Sequence, residues 1–164
     1  MSTKKDTAKL VREADKKMVK EVTQDPIIGI KTTVEHINTV KLTKKHFEFE
    51  CDELTKVDYF YEHDKIVKIS VDFGTIGDVY AKEDYYYNGD QLVFKYEFVE
   101  GGPACEGCIE THEYRSYVHH NQVIKYLKDK GSSTCRKCEF TNRSKEYQLL
   151  KAGNAAEIKA VLCT

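Results

Sequence analysis

The segment GDVYAKEDYYYNGDQLVFKYEFVEG, residues 77–101, decides the fold because it contains two strand patterns joined by one turn. Apolar and polar residues alternate on both sides of Asn88-Gly89, which is the period-two pattern of β-strands. Asn-Gly is the strongest short hairpin signal, since both residues tolerate positive φ angles. The segment therefore predicts an antiparallel hairpin that turns at Asn88 and Gly89.

A two-residue turn at these positions fixes which side chains share a face of the sheet. Tyr87 then faces Asp90, and Tyr85 faces Leu92. One face becomes strongly apolar and is expected to be the core face, with Val79, Ala81, Tyr85, Tyr87, Leu92, Phe94, Tyr96 and Phe98.

The opposite face of this hairpin carries Tyr80 and Tyr86, flanked by Lys82 and Lys95. Tyrosine suits protein interfaces because it offers a large contact area and a polar tip. We therefore predict an interaction face at Tyr80 and Tyr86. The alternative is that these rings lie under a second helix or stiffen the sheet.

The hairpin pattern is repeated along the chain. Three segments superimpose on Tyr61, Tyr87 and Tyr117, and each has an aromatic-ending strand, a polar turn and a strand that begins with an aliphatic residue: YFYEHDKIVKI (59–69), YYYNGDQLVFK (85–95) and RSYVHHNQVIKY (115–126). Such spacing is typical of successive hairpins in a meander.

Helical patterns flank this β-region on both sides. We predict a single α+β domain over residues 1–164, with an antiparallel β-meander of about seven strands and with N- and C-terminal helices packed on one sheet face. Its predicted parts are a helix at 6–23 within a loosely docked arm (1–24), a helix that begins at Pro26, the meander at 40–130, and C-terminal helices at 144–162.

Composition restricts the function classes. The 164 residues carry a formal net charge of −1, which argues against nucleic acid as a partner. No apolar run approaches the ~20 residues that a membrane helix needs, so membrane insertion is not expected. The sequence begins without the apolar region of a secretory signal, so the protein is either cytoplasmic or has lost its signal by processing.

The repeated Y-Y-Y-x-G-x-x-L-V-F hairpins and the segment EYRSY…NQVIKYL before a C-terminal helix resemble a group of uncharacterised β-meander domains with repeated Tyr-rich hairpins. Those domains occur in bacterial secreted or periplasmic proteins. The resemblance covers residues 25–130 and implies a non-catalytic extracytoplasmic domain. It supplies no functional residues.

Four cysteines form the spacing C-x2-C-x26-C-x2-C: Cys105, Cys108, Cys135 and Cys138. Two C-x2-C pairs are the commonest ligand plan for structural zinc, since four thiolates satisfy a tetrahedral Zn²⁺. The pairs flank one predicted hairpin, in which Tyr117 opposes Val123, and both are expected at the same end of the sheet. We therefore predict a structural zinc site that holds this end of the sheet together. The domain is expected to be non-enzymatic and to bind a protein partner that the sequence does not identify.

Two alternatives to zinc remain open at this point. The first is a secreted or periplasmic binding or inhibitor-like domain in which the cysteines form disulfides, since six cysteines are an even number. The second is a thiol-disulfide oxidoreductase, although neither CxxC motif is followed by a predicted helix that would lower its thiol pKa. Cys51 is expected to be a buried structural thiol, and Cys163 to be free or paired with Cys51.

Overall fold

A computed structural model describes residues 25–163. The predicted helix at 6–23 lies outside the described residues. Within them, three helices flank eight strands: α1 (Pro26–Thr39), β1 (Thr43–Glu50), β2 (Leu54–Glu62), β3 (Lys65–Ile76), β4 (Val79–Asn88), β5 (Gln91–Gly101), β6 (Glu110–His119), β7 (Gln122–Lys128), β8 (Gly131–Ser132), α2 (Lys145–Lys151) and α3 (Ala155–Leu162). Among residues 25–163, no helix has the length and apolarity that crossing a membrane requires.

The strands form one antiparallel sheet in the order β1 to β8, so each strand pairs with its neighbours in sequence. The predicted α+β fold with a β-meander and flanking helices is confirmed. The eighth strand, which the sequence pattern did not show, has only two residues and follows a turn at Asp129 and Lys130 with positive φ angles.

Three hairpins of the meander share one construction. Their turns are His63-Asp64, Gly89-Asp90 and His120-Asn121, and all six residues have φ between 48° and 63°. Two consecutive positive φ angles define the type I′ turn, whose twist matches that of the strands. The predicted turn at Asn88 and Gly89 is therefore displaced by one residue, and Tyr87 faces Leu92 instead of Asp90.

A bulge follows each of these turns and changes the expected faces. In β5 the register shifts so that Tyr86 faces Phe94, which leaves Val93 as the extra residue. One extra residue reverses the parity of everything beyond it. Phe94, Tyr96 and Phe98 therefore lie on the face of Tyr86, and not on the predicted core face with Tyr85.

The same device corrects the third hairpin. Val118, and not Tyr117, faces Val123, because the register shifts between Tyr117 and Val118. Tyr117 faces Lys125 and lies on the same sheet face as Phe94, its partner in β5.

Both faces of the sheet are covered, one by α1 and the other by α2 and α3. The prediction that all helices share one face is wrong. Helix α1 packs Ile30 and Ile37 against Tyr86, Phe94 and Tyr117. The C-terminal helices cover the opposite face, where a larger core contains Val57, Tyr59, Ile69, Val71, Tyr85, Tyr87, Leu92, Val118, Phe140, Tyr147, Leu149 and Ile158.

Local signals fix the ends of the helices. The Asp25 side chain accepts from the Ile27 N–H at 3.0 Å, and Pro26 occupies the first turn, as predicted. At α3, Asn154 accepts from the Glu157 N–H at 3.0 Å, and Glu157 reaches back to the Gly153 N–H at 2.7 Å. The first bond satisfies a donor that the helix itself leaves unpaired, and the second satisfies the N–H of the residue before the N-cap.

Tyrosine hydroxyls fasten α2 to the sheet. Tyr59 donates to the carbonyl of Leu149 at 2.6 Å, and Tyr87 donates to the carbonyl of Glu146 at 2.7 Å. In the opposite direction, the Tyr147 hydroxyl accepts from the Leu92 N–H at 2.9 Å. The tyrosine-rich pattern therefore provides buried anchors as well as apolar area.

Candidate functional site

All six cysteines of the chain lie in three close pairs. Cys51 pairs with Cys163, while each CxxC motif pairs within itself. The Cα–Cα distances are 5.2, 5.3 and 5.4 Å respectively, which lie within the range of disulfides. The geometry thus fits the alternative in which the cysteines are bridged.

The two CxxC motifs lie at different levels of the sheet, so the expectation of one shared end is wrong. Cys105 and Cys108 precede β6, at its Glu110 end. Beyond β8 the chain runs back beside β7, and the carbonyl of Cys138 accepts from the Val123 N–H at 2.9 Å. Val123 faces Val118 of β6, about eight residues or roughly 25 Å along the strand from Glu110.

The described residues contain no group of three or more His, Cys, Asp or Glu side chains that could hold a metal ion. The structure pairs the cysteines within each motif and does not gather the four thiols at one point. Zinc binding by Cys105, Cys108, Cys135 and Cys138 stays a prediction, which metal analysis of purified protein tests.

Neither CxxC motif lies at the start of a helix. Cys108 leads into β6, and Cys138 leads into an isolated bridge between Glu139 and Gln122. The low thiol pKa of thioredoxin-like sites depends on a helix N-terminus, and here the next helix begins only at Lys145. The structure therefore adds no support to the oxidoreductase alternative.

The Cys105–Cys108 loop is held in a tight bend. Cys108 N–H donates to the carbonyl of Cys105 at 3.1 Å. Gly102 adopts a φ of +155°, and a Cβ added there would lie 2.1 Å from the Cys108 carbonyl oxygen. Glycine is thus required for the closure of this loop.

The Cys135–Cys138 loop places two cations over the sheet. Lys137 contacts the Glu146 carboxylate at 3.3 Å, and its ammonium lies 4.8 Å from the Phe140 ring centroid. Arg136 lies 4.3 Å from the centroid of Tyr114, a cation–π arrangement. These contacts fix the loop on the face that α2 and α3 also cover.

A small cavity lies between this loop and the sheet, and we call it the Arg136 pocket. Its volume is 240 Å³, and it is lined by Lys95, Glu97, Ser116, Tyr126, Arg136, Lys137 and Phe140. Strands β5, β6 and β7 form its floor, and the CxxC loop forms its wall. The close pairing of Cys135 with Cys138 therefore restricts the loop that forms one wall of the cavity.

Beside the pocket lies a buried ion cluster centred on Lys95. Its ammonium contacts Glu146 at 3.0 Å, Glu83 at 3.1 Å and Glu97 at 3.4 Å. The Lys145 ammonium contacts Glu83 from the other side at 2.8 Å. The Lys95 side chain is 8 % exposed and that of Glu146 is 0 % exposed, so these ion pairs are largely shielded from water.

The cluster perturbs its members in different directions. Burial alone would raise the pKa of Glu83, but Lys95 and Lys145 outweigh it and lower this pKa to about 2. The pKa of Glu146 is also lowered, against the effect of burial, chiefly by Lys95. Burial dominates at Glu97 and raises its pKa. The negative charges of Glu83 and Glu146 are thus well compensated by the neighbouring lysines, and that of Glu97 is less so.

Tyr126 contributes an unusual polar group to the pocket. The residue is 8 % exposed, yet its hydroxyl has no hydrogen-bond partner among the described residues. The approach of Arg136 to the phenol oxygen raises the pKa of the guanidinium, but the contact falls short of hydrogen-bond geometry. A guanidinium only donates, so the hydrogen of the Tyr126 hydroxyl has no acceptor there. Buried polar groups without partners are rare and costly.

The predicted interaction face is only partly accessible. Tyr86 is 4 % exposed under α1 and donates to the side-chain oxygen of Asn38 at 2.9 Å. Tyr86 is therefore a core residue, as the alternative interpretation held. Tyr80 is half-buried, donates to Asp72 at 3.0 Å and lies edge-on to Phe98. Tyr80 lies on the α1 face of the sheet. Because Tyr86 is buried on that face, the two rings do not form an exposed pair.

A larger cavity lies elsewhere, between α1 and two hairpin turns. It measures 620 Å³ and has a mixed lining that includes Ile37, Ile66 and Tyr87. His36 pairs with Glu62 at its rim at 2.9 Å. Among the described residues, no buried polar side chain without a partner lines this cavity, whereas the Arg136 pocket contains the Tyr126 hydroxyl and so has the more specific chemistry.

Sequence reasoning missed the Lys95 cluster. Lys95 follows Phe94 in an alternating strand and was assigned to the solvent face, whereas the bulge at Val93 directs it inward. Glu146 was part of a predicted helix with no assigned role. A lysine within an apolar strand, together with a glutamate in a later amphipathic helix, was the available signal.

No protein-family model, curated protein or solved structure matches the chain.

Proposed function

We propose that the chain is a non-enzymatic binding domain for a protein partner, stapled by three disulfides, in the periplasm or outside the cell. The observation that carries the proposal is the pairing of all six cysteines within disulfide distance. Structural disulfides persist in oxidising compartments and are rare in the cytosol. The resemblance to secreted β-meander domains supports the same compartment.

Exposed apolar residues at one end of the sheet support a protein as the partner. Ile76 and Val79 face each other across the β3–β4 turn, and they are 52 % and 44 % exposed. Val79 faces Gly101, which pairs with the start of β6, where Ile109 is 64 % exposed. We call Ile76 and Val79 the sheet-end patch, and Ile109 lies near the same end of the sheet. Clustered exposed apolar groups are typical of protein interaction sites.

Intact mass spectrometry tests the disulfides. Protein purified from an oxidising compartment is expected to gain two hydrogens for each bridge on reduction, and to resist alkylation beforehand. Six alkylated cysteines in the native, unreduced protein would overturn the proposal. Stoichiometric zinc in such protein would favour the predicted metal site instead.

Variants of the sheet-end patch test the binding role. Crosslinking in the source cells, followed by recovery of the tagged chain, is expected to yield a partner that Ile76→Ser with Val79→Ser no longer captures. Ile124→Ser is the matched control, because Ile124 is similarly exposed at 42 % but lies on β7. Equal capture by the patch variant and the control would refute the role of the patch.

A further inference from the structure

The Arg136 pocket combines a buried hydroxyl that lacks a partner among the described residues with an exposed guanidinium that lacks an ion-pair partner there. The buried Tyr126 hydroxyl has no partner, and Arg136 belongs to none of the ion pairs found within residues 25–163. Both line the same cavity. A guanidinium and a phenol hydroxyl are donors, so together they match a ligand that carries two acceptor oxygens.

The charged groups around the pocket favour a ligand with a single negative charge. The pocket and the adjoining cluster contain four cations (Lys95, Arg136, Lys137 and Lys145) and three carboxylates (Glu83, Glu97 and Glu146). One positive charge therefore remains uncompensated. Since Glu97 lines the pocket itself, its carboxylate repels a dianion about twice as strongly as a monoanion, so a single negative charge is the better match.

The size and remaining lining select a small ligand or the end of a larger one. A volume of 240 Å³ is below the range of pockets for drug-sized molecules. Phe140 provides an apolar wall for the carbon part of the ligand, and the three carboxylates around Lys95 match its three ammonium hydrogens. The lysines of the lining, Lys95 and Lys137, are both paired with Glu146, so we assign the ligand to the Arg136 guanidinium and the Tyr126 hydroxyl.

The geometry points to the Arg136 pocket as a binding site for a single carboxylate group, held between the Arg136 guanidinium and the Tyr126 hydroxyl. The carboxylate belongs either to a small organic acid or to the C-terminus of a peptide. A peptide C-terminus as the ligand rests on the proposed function and extends it, because the pocket would then bind the C-terminal carboxylate of the protein partner. A small organic acid as the ligand does not depend on a protein partner.

NMR titration of the full chain with its cysteines oxidised tests this inference. Acetate and the tripeptide Gly-Gly-Ala are the probes, and the amide of the same tripeptide is the ligand control, at constant ionic strength. Saturable shifts of the Ser116, Arg136 and Lys137 amides are expected with acetate. If the free tripeptide binds more tightly than acetate, the ligand is a peptide C-terminus. If it binds equally or more weakly, the ligand is a small organic acid. Saturation by the amidated tripeptide, or by inorganic phosphate alone, would overturn the inference.

Two conservative variants separate binding from folding. Tyr126→Phe removes a hydroxyl that makes no bond, so its thermal midpoint is expected to equal or exceed that of the parent, while acetate affinity falls about fivefold. Tyr114→Phe removes the same atom from the ring stacked on Tyr126, but outside the pocket lining, and is expected to leave the affinity unchanged. Unchanged affinity in Tyr126→Phe refutes the site.

The cysteine state is measured on the same samples. If the thiols are free and acetate still binds with these variant effects, the disulfide proposal fails and the carboxylate site stands. If the disulfides are intact and no probe gives saturable shifts at the pocket, the carboxylate site fails and the stapled domain stands.

Discussion

Replacement of Lys95 by methionine tests the ion cluster most directly. Methionine keeps most of the volume of the side chain, so little of the effect comes from a cavity. The substitution removes the ammonium that three carboxylates share at 3.0–3.4 Å. Breaking a buried ion pair by removal of one partner costs about 3–5 kcal/mol, and we expect Lys95→Met to lower the free energy of unfolding by this amount at neutral pH.

The pH dependence gives this prediction a distinctive sign. In the parent protein the pKa of Glu83 is lowered from 4.5 to about 2, so Glu83 stabilises the fold above about pH 4.5 by about 3 kcal/mol, and this contribution is lost as pH falls towards 2. Glu146, whose pKa is also lowered, acts in the same direction. Glu97, whose pKa is raised, opposes them, because its protonated form is favoured in the folded state.

In Lys95→Met the carboxylates lose their shared cation and keep their burial, which raises the pKa of a carboxyl group. The free energy of unfolding of the variant is therefore expected to rise as pH falls from about 6 to 4, whereas that of the parent falls or stays level.

Urea unfolding at several pH values, with the disulfides kept oxidised, measures both quantities. Lys82→Met is the matched control, since Lys82 is exposed on the other face of the same sheet, and a change below about 0.5 kcal/mol is expected for it. A loss of less than about 1 kcal/mol in Lys95→Met, with the pH slope of the parent, would refute the assignment of the cluster as a buried, charge-compensated unit.

Three further predictions concern other parts of the fold. Cys51→Ser with Cys163→Ser opens a loop with a sequence separation of 112 and is expected to lower the free energy of unfolding by about 4–5 kcal/mol, against about 2 kcal/mol for either CxxC pair; similar losses in chemical denaturation of all three double variants would contradict this ranking. Tyr147→Phe leaves the Leu92 N–H without its acceptor, so a loss of about 1–3 kcal/mol is expected by the same measurement, and an unchanged midpoint would exclude that bond as a stabilising contact. Gly29→Ala in α1 meets no atom within 4 Å and is expected to raise the thermal midpoint through a gain of about 0.5–1 kcal/mol, whereas a lower midpoint would show that the helix needs this glycine.

The meander was predictable because its signals are local. Alternation identifies each strand, and the pairs Gly89-Asp90 and His120-Asn121 lie within or next to recognisable turn sequences. The capping bonds of Asn154 and Glu157 are equally local. Such features depend on residues within a few positions of one another, so one sequence is sufficient to find them.

The faces of the sheet were less predictable, because bulges carry no reliable local code. The extra residue at Val93 brings Phe94 beside Tyr86 and Tyr117, where α1 covers all three rings. Packing between distant segments, and not the sequence near Val93, selects this register. The error in parity then concealed Lys95 and gave Tyr86 the wrong environment.

The position of the second CxxC motif also depended on a small element. The two-residue strand β8 turns the chain back along β7, and this return separates Cys138 from Cys108 along the sheet. A two-residue strand has too short a pattern to detect. The prediction that the four thiols converge assumed a path for the chain after β7. The alternating pattern at 122–128 does not determine that path.

The pairing of Cys51 with Cys163 has a mechanical consequence. It joins the β1–β2 turn directly to the end of α3, so a tensile load applied at Cys163 passes through sulfur to the first hairpin before it strains α2, α3 or strands β3 to β8. The 112 residues of separation correspond to roughly 400 Å of extensible chain, which the bridge withholds from extension. With the bridge closed, the enclosed chain cannot extend even when tension unfolds the domain, whereas with the bridge reduced the same unfolding releases it.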